Sequence, residues 1–444
     1  GTVEQNPAQD LYEEGTEVQL IATPDAGWEF LYWFWNNDAM SSNDTTTITV
    51  TQDTTVQAVF QEATYFIYTT VDGQGSVSRN PAKEGYSYNT EVELTAIPSL
   101  GWTFDNWSGD LTGTQNPATI VMDSDKNITT NFFELPDGTH WEGYSKSQWT
   151  ERSNHANESF NNRLYVFGGY NYNSTDGSTY YNDVWTTTDG LNWDEETYNN
   201  PAPWSGRRSM ATVVHDNALW IIGGNTSDNS RENYGSVSDV WNTTDGSNWV
   251  QVADSTSEFP GMDSHAAVSF NERIYITGGF NPSNESTNSV AYSSSDGVNW
   301  TTEGETPPRY GHASVVFKGK IWILGGNDGS GNYSNEIYSS PDGKSWELVT
   351  PSTGIWTARE DLTAIVFGGR IWVMGGNTDT GYMNDIWYSS DGVSWTKVTI
   401  NLDSPLWGPR GKHASAVFNN KVWITGGINP DFVYMNDTWK TIKP

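Results

Sequence analysis

The chain has 444 residues, 22 Lys and Arg against 55 Asp and Glu, a net charge of −33 and no cysteine. Its length allows two or three domains with substantial cores. Its charge makes nucleic acid and anionic membrane surfaces poor partners, and the missing cysteine removes disulfides, thiolate nucleophiles and Cys-ligated zinc.

The acidity runs through the whole chain: residues 1–134 carry 3 basic and 20 acidic residues, and residues 135–444 carry 19 and 35. Acidic chains rich in Asn, Ser, Thr and Gly stay soluble outside cells, and some are salt-adapted. There is no run of about 18 apolar residues, so no membrane insertion is expected. No signal peptide is visible, and Gly1 reads as the start of a fragment or of a processed chain.

Residues 1–134 hold a repeat of their own. Gly1-Thr2-Val3, Asn6-Pro7, Tyr12, the run Gly15 to Ala22 and Gly27-Trp28-Glu29-Phe30 come first. They recur as Gly75-Ser76-Val77, Asn80-Pro81, Tyr86, the run Asn89 to Ala96 and Gly101-Trp102-Thr103-Phe104. Alternating apolar and polar residues with Gly and Pro punctuation predict two small β-modules, residues 1–62 and 63–134. The second opens with a strand, Tyr65 to Val71, that the first lacks. Either the first module continues a longer array, or its open edge accepts a strand from a neighbouring molecule. The repeat resembles the InlB B-type, or bacterial repeat, modules of surface proteins, which implies a secreted or bacterial cell-surface location.

From residue 137 onward two patterns each occur six times, about 50 residues apart, the period of kelch-type blades. Asp-Gly-x-x-Trp spans Asp137–Trp141, Asp189–Trp193, Asp245–Trp249, Asp296–Trp300, Asp342–Trp346 and Asp391–Trp395. A β-rich run ends in Gly-Gly at Gly168, Gly223, Gly278, Gly325, Gly375 and Gly426. The sets are out of phase: the strand of Trp141 has no partners just before it, and the last blade lacks an outermost strand. Joining the two closes a ring of six with no unpaired edge. In the fourth blade His312–Phe317, Ile321–Gly326, Asn335–Ser340 and Trp346–Val349 read as four strands, the first two apolar enough to be buried on both faces. This resembles the kelch family across residues 135–444, with added support from Asn182-Asp183-Val184-Trp185, Asn384-Asp385-Ile386-Trp387 and Asn436-Asp437-Thr438-Trp439. The resemblance implies an all-β chain: a six-bladed kelch-like β-propeller preceded by two tandem β-modules. The Asp-Gly-x-x-Trp turn also looks like the sialidase Asp-box, one residue short. Asp and Gly suit a hairpin turn and Trp suits packing between blades, so we assign these residues no chemistry.

The scarce cations cluster. Arg152, Arg207, Arg208, Arg309, Arg359 and Arg410 precede inner strands, with Met262 in the third blade. Arg163, Arg273, Lys320, Arg370 and Lys421 follow them on the opposite face. Trp149, Trp204, Trp356 and Trp407 stand three residues before an arginine, and Phe259 takes that place in the third blade. Loops after Gly-Gly add Tyr170, Tyr172, Tyr180, Tyr181, Tyr234, Phe280, Asn327, Tyr333, Tyr382, Phe432 and Tyr434. An arginine ring at a channel mouth would suit carboxylate or sulfate groups, and flat aromatics would suit sugar rings or protein hot spots. The ligand-binding candidates are Trp149, Arg152, Trp204, Arg207, Arg309, Trp356, Arg359, Trp407, Arg410, Tyr333, Tyr382 and Tyr434. The bland alternative is that Trp and Arg stack on each other and fasten the loops. His155, His265, His312 and His413 occupy equivalent places and read as structural. No cofactor is expected. Asp328-Gly329-Ser330-Gly331-Asn332 is the one calcium candidate, and it lacks the closing Glu of an EF-type loop. Asp123 to Asn127 reads as a hairpin turn.

Three enzyme classes were weighed. Galactose oxidases share the kelch fold but need a Tyr–Cys crosslink, which the absence of Cys excludes. The Arg-Ile-Pro-type segment of sialidases is absent. Propeller lyases and sialate epimerases need pocket groups that His155, Arg309, Arg359, Glu360, Asp361 and Arg410 could supply, but no spacing marks a nucleophile and base. No catalytic residue is assigned. The leading expectation is an adhesin-like surface protein whose propeller face binds a glycan or a partner protein. The alternatives are a filament or layer subunit that self-assembles through the N-terminal modules, and a carbohydrate-active propeller enzyme.

Overall fold

The computed structural model describes the whole chain except residues 36–37, 100, 135–137, 139, 198–200, 227–234, 255–257, 401–404 and 443–444. Asp137 and Tyr234, named above, therefore lie outside the described residues. The chain divides into two compact units, Gly1–Glu134 and Leu135–Pro444.

The first unit holds two similar modules. In the first, β1 (Thr2–Asn6), β2 (Glu17–Thr23) and β5 (Thr45–Thr49) form one sheet. β3 (Trp28–Trp35), β4 (Asp38–Ser41) and β6 (Val56–Glu62) form another. The second module repeats this with β8 (Gly75–Asn80), β9 (Thr90–Pro98) and β11 (Ala118–Met122) in one sheet. Its other sheet has β10 (Trp102–Gly109), β12 (Lys126–Glu134) and β7 (Ile67–Asp72), with β7 parallel to β12. Strand alternation sets the core: Val92, Leu94 and Ala96 of β9 point inward while Glu91 and Glu93 face solvent.

The second unit is a ring of six antiparallel sheets. Blade 1 runs Ala156–Phe160, Arg163–Phe167, Val184–Thr187 and Asp194–Glu195 from the axis outward. The second strand of each blade is buried throughout, as in Leu164-Tyr165-Val166-Phe167, because other blades cover both its faces. Blade 6 takes its outer strand from the beginning of the second unit. β13 (Trp141–Tyr144) pairs with Tyr434–Thr441, Gly143 standing opposite Trp439. The Asp-Gly-x-x-Trp turns from Asp189 onward are capped hairpins, as where Asp189 Oδ1 accepts the Leu191 and Asn192 amides at 2.7 and 2.9 Å. The turn glycine presses on an aromatic residue of the preceding blade: a Cβ at Gly190 would come within 2.0 Å of Trp423, and one at Gly246 within 2.3 Å of Tyr165.

Closure makes Trp141 a core residue. It is 1 % exposed, meets Trp407 edge-on at 6.2 Å, and donates from Nε1 to Gly138 O at 2.8 Å. Trp141→Ala is expected to lower stability by about 3–5 kcal/mol, the cost of emptying an aromatic site. Urea denaturation would show this, and a loss well under about 1 kcal/mol would contradict the closure.

Candidate functional site

Five of the arginines that precede the inner strands, all but Arg208, are buried inside the ring. Arg152, Arg207, Arg359 and Arg410 are 0–1 % exposed. Arg152 donates from Nη1 to Gly168 O at 2.8 Å and to Asp183 Oδ1 at 2.5 Å, and from Nη2 to Asp183 Oδ2 at 2.7 Å. Arg207 grips Asp239, Arg359 grips Asp385 and Arg410 grips Asp437 with the same fork. The indoles of Trp185, Trp241, Trp387 and Trp439 donate to those carboxylates. Arg309 pairs with Glu336. Burial alone would raise the Asp385 carboxyl, but the Arg359 bonds and charge hold it below its ordinary range.

The five arginines offered as ligand-binding candidates are thus each paired with a carboxylate of their own blade. The candidate tryptophans lie equally deep. Trp149, Trp204, Trp356 and Trp407 are 0–1 % exposed. They meet Trp193, Trp249, Trp395 and Trp141 edge-on at 6.2, 6.1, 4.5 and 6.2 Å. The Arg152, Arg207 and Arg410 guanidiniums lie 5.8, 5.8 and 5.9 Å from the Trp149, Trp204 and Trp407 rings. Stacking that fastens the entry loops is what these residues do.

The axis is organised by backbone. Asn154, Ser209, Ser264, Gly311, Asp361 and Lys412 stand at one position in the six blades, all with φ between 54° and 58°. Each donates its amide to the carbonyl of the one before: Ser209 to Asn154, Ser264 to Ser209, Gly311 to Ser264, Asp361 to Gly311 and Lys412 to Asp361. Asn154 donates to Lys412 at 2.8 Å and closes the circle. These residues line a cavity of about 120 Å³ together with His155, Met210, His265, His312, Leu362 and His413. His155, His312 and His413 reach sideways to Thr425, Thr277 and Thr363 of neighbouring blades. Burial lowers His155 and His312 to about 3 and His265 to about 4, so they are neutral pins at physiological pH.

One residue before this circle, Ser153, Arg208, Asp263, Tyr310, Glu360 and Gly411 form the mouth. Each pairs through its main chain with the residue after a diglycine: Tyr170, Asn225, Phe280, Asn327, Asn377 and Ile428. This brings the loop aromatics together. Tyr170 meets Tyr180 at 5.0 Å and Tyr434 at 6.0 Å, and Phe280 meets Tyr310 at 5.4 Å. Arg208 lies over Tyr170 and Tyr180 at 4.8 and 5.5 Å. Tyr333 Oη accepts a bond from Asn377 Nδ2 at 2.9 Å, and Tyr382 packs on Gly411. Of the twelve candidates, Tyr333, Tyr382 and Tyr434 are thus brought to the mouth, all half-buried. Among the described residues the charged groups next to the axis there include Arg208, Asp263, Glu360, Asp361 and Lys412, with Lys412 Nζ 3.7 Å from Asp361. Burial, then the Asp361 charge, raises Glu360. Burial also raises Asp361, opposed by Lys412. Sequence reasoning placed Arg208 in the arginine ring and Glu360 and Asp361 among the pocket groups but did not name Asp263 or Lys412. The offset that Arg208, Asp263 and Glu360 share from the diglycines, with Asp361 and Lys412 one residue later, was the available signal.

Farther along the axis, Glu158 lines a second cavity of about 320 Å³. Its counterparts in the other blades are Val213, Val268, Val315, Ile365 and Ala416. Burial raises it to about 7, against one bond from Thr212 at 2.9 Å. In the calcium candidate, Asp328 caps its own loop, accepting the Ser330 amide at 2.8 Å and Asn332 Nδ2 at 2.9 Å. Among the described residues no three His, Asp or Glu are grouped to hold a metal.

Residues 133–279 and 264–441 match the KLHDC2/KLHL20/DRC7 Kelch-repeats domain. Residues 1–64 and 65–135 each match the Divergent InlB B-repeat domain. No curated protein matches. A solved structure titled "Structure of YjhT" is similar, with a TM-score of 0.52 and 17% identity, covering 66% of this chain and 95% of that one. At that identity the likeness is one of fold.

Two outcomes follow from this geometry. Arg207→Met should cost about 3–5 kcal/mol by leaving the Asp239 carboxylate buried without its guanidinium, and adding Asp239→Ser should recover much of the loss. A double variant no more stable than the single, by chemical denaturation, would refute the pairing. Glu158 ordinarily titrates at 4.5 but holds its proton to about 7 when folded, so unfolding releases a proton in that window. Stability should fall as pH rises from 4.5 to about 7, and Glu158→Gln should flatten that segment of the curve.

Proposed function

The chain belongs to the kelch-repeat family, and from that premise we propose that it is an adhesin-like surface protein whose propeller mouth binds a glycan. The observation that carries this reading is the ring of half-buried aromatics, Tyr170, Tyr180, Phe280, Tyr310, Tyr333, Tyr382 and Tyr434, around a polar floor. Aromatic faces stack on the C–H faces of sugar rings, and a few placed polar groups fix hydroxyls. The Divergent InlB B-repeat match at residues 1–64 and 65–135 supports a place on a bacterial surface, where such modules occur.

The floor also bears on the kind of glycan. Two cations, Arg208 and Lys412, face three carboxylates, Asp263, Glu360 and Asp361. Asp263 is already bonded by Ser236, Ser264 and Asn225. With Arg152, Arg207, Arg309, Arg359 and Arg410 paired in the interior, an uncharged glycan fits the described part of this mouth better than the carboxylated or sulfated one the sequence pointed to.

A glycan array probed with the 444-residue chain should return neutral oligosaccharides. Tyr333→Ala and Tyr382→Ala should each weaken binding about tenfold, as loss of one stacking face does, with unchanged melting temperature. An array without hits, or variants that bind like the parent, would sink the reading. Turnover of a bound glycan, lost in Glu360→Gln, would replace binding by catalysis.

A further inference from the structure

The third strand of every blade carries an aromatic residue just after the position of the buried carboxylate, and in five blades the outer strand sets a side chain opposite it. Glu195 stands opposite Trp185, Gln251 opposite Trp241, Thr302 opposite Tyr292, Leu348 opposite Tyr338 and Lys397 opposite Trp387. In blade 6 the residue opposite Trp439 is Gly143 of β13. A Cβ there would stand 2.6 Å from each of three atoms of the Trp439 ring, so the indole lies face-on across bare backbone. Trp439 and Gly143 then bound a hollow of about 400 Å³, walled also by Ser145, Glu151, Tyr434, Met435, Asn436 and Asp437.

Blade 5 shows what such a place takes. The two blades are alike up to the carboxylate. Arg359 grips Asp385, to which the Trp387 indole donates at 2.9 Å. Arg410 grips Asp437, to which the Trp439 indole donates at 2.7 Å. In blade 5 an ammonium completes the group: Lys397 Nζ lies 6.0 Å from the centre of the Trp387 ring and 4.0 Å from Asp385 Oδ2. Blade 6 has the same indole and carboxylate, and a hollow in place of the lysine. Lys440 does not fill it, because the next residue along a strand faces the other side of the sheet. Its Nζ lies 5.5 Å from the Trp423 ring and 5.0 Å from the Tyr144 ring. The hollow also gains Glu151, which no Lys or Arg pairs with among the described residues.

We propose that this hollow binds an alkylammonium group, with the Trp439 indole against the cation and Glu151 as its counter-ion. The ring quadrupole attracts an ammonium placed over an indole face. Asp437 is already held by Arg410, so the charge left to match is that of Glu151. The net charge of −33 favours the approach of a cation from any direction. The hollow borders the mouth at Tyr434 but selects by charge, so it stands whether or not the mouth binds a glycan.

The test follows the tryptophan indole N–H resonances of the isotope-labelled 444-residue chain by NMR. The probes are N-acetyl-lysine methylamide, n-butylammonium and N-acetyl-norleucine methylamide, which lacks the ammonium. The resonance of Trp439, identified by its loss in Trp439→Phe, should shift saturably with an ammonium probe, at about millimolar affinity for a single cation–π contact with one ion pair. Glu151→Gln should weaken this binding about fivefold, the loss of one partly exposed ion pair. Tighter binding of the lysine derivative assigns the site to a lysine of a partner protein, and tighter binding of butylammonium to a free amine. The proposal falls if neither ammonium probe shifts Trp439 saturably, if the norleucine derivative binds as well as the lysine one, or if Glu151→Gln leaves the affinity unchanged.

Discussion

Every blade is held to the next by one backbone bond that needs a glycine. The second residue of each diglycine donates its amide to a carbonyl at the entrance of the following blade: Gly169 to Arg207, Gly224 to Met262, Gly279 to Arg309, Gly326 to Arg359 and Gly376 to Arg410. Gly427 donates to Arg152 and completes the circuit. Both glycines of a pair sit at positive φ, as in Gly168 at 53° and Gly169 at 105°, where other residues are strained. The neighbouring blade comes so close that a Cβ on Gly278 would lie 2.3 Å from Arg309 O. The residue receiving this bond then sends its side chain into its own blade. An arginine thus works as a bolt, with its main chain bonded to the preceding blade and its guanidinium held in its own.

A bolt of this kind is satisfied only as a pair. A buried guanidinium without its carboxylate, or the reverse, leaves a desolvated charge. Blade 3 shows the rule by exception. Met262 replaces the arginine, and Val290 stands where the other blades have Asp183, Asp239, Glu336, Asp385 and Asp437. Both halves are gone, the backbone bond from Gly224 remains, and Met262 is fully buried. The charge pair is therefore dispensable as a unit, while the glycine stitch recurs in all six blades. Because five of the scarce cations are enclosed in this way, they contribute little field at the surface. What is left at the mouth is an aromatic rim with an almost balanced floor.

Period and phase made much of this fold legible. Six diglycines, six Asp-Gly-x-x-Trp turns and their offset led to six blades and to the pairing of Trp141 with the last blade, because strand edges and repeat lengths are written in residue order. The direction of the arginines and tryptophans was not legible in the same way, since a residue that begins an inner strand can point to the channel or between sheets. The joint absence of Arg and Asp in blade 3 was the clue that the two types are partners. So was the recurrence of Trp149, Trp204, Trp356 and Trp407 in blades whose outer strand also carries Trp. The circle around the axis left no trace in side chains. Asn154, Ser209, Ser264, Gly311, Asp361 and Lys412 share a backbone conformation and no chemistry.

Rigidity and variety are separated along the axis. The inner circle is made of main-chain bonds that any residue able to hold a positive φ can supply, so Asn154, Ser209, Ser264, Gly311, Asp361 and Lys412 serve equally well there. One residue earlier, Ser153, Arg208, Asp263, Tyr310, Glu360 and Gly411 occupy one tier with no residue type in common. Each is held in place by main-chain pairing to the residue after a diglycine, which fixes the backbone whatever the side chain. A backbone frame of this kind lets six repeated positions present six different side chains without disturbing the ring.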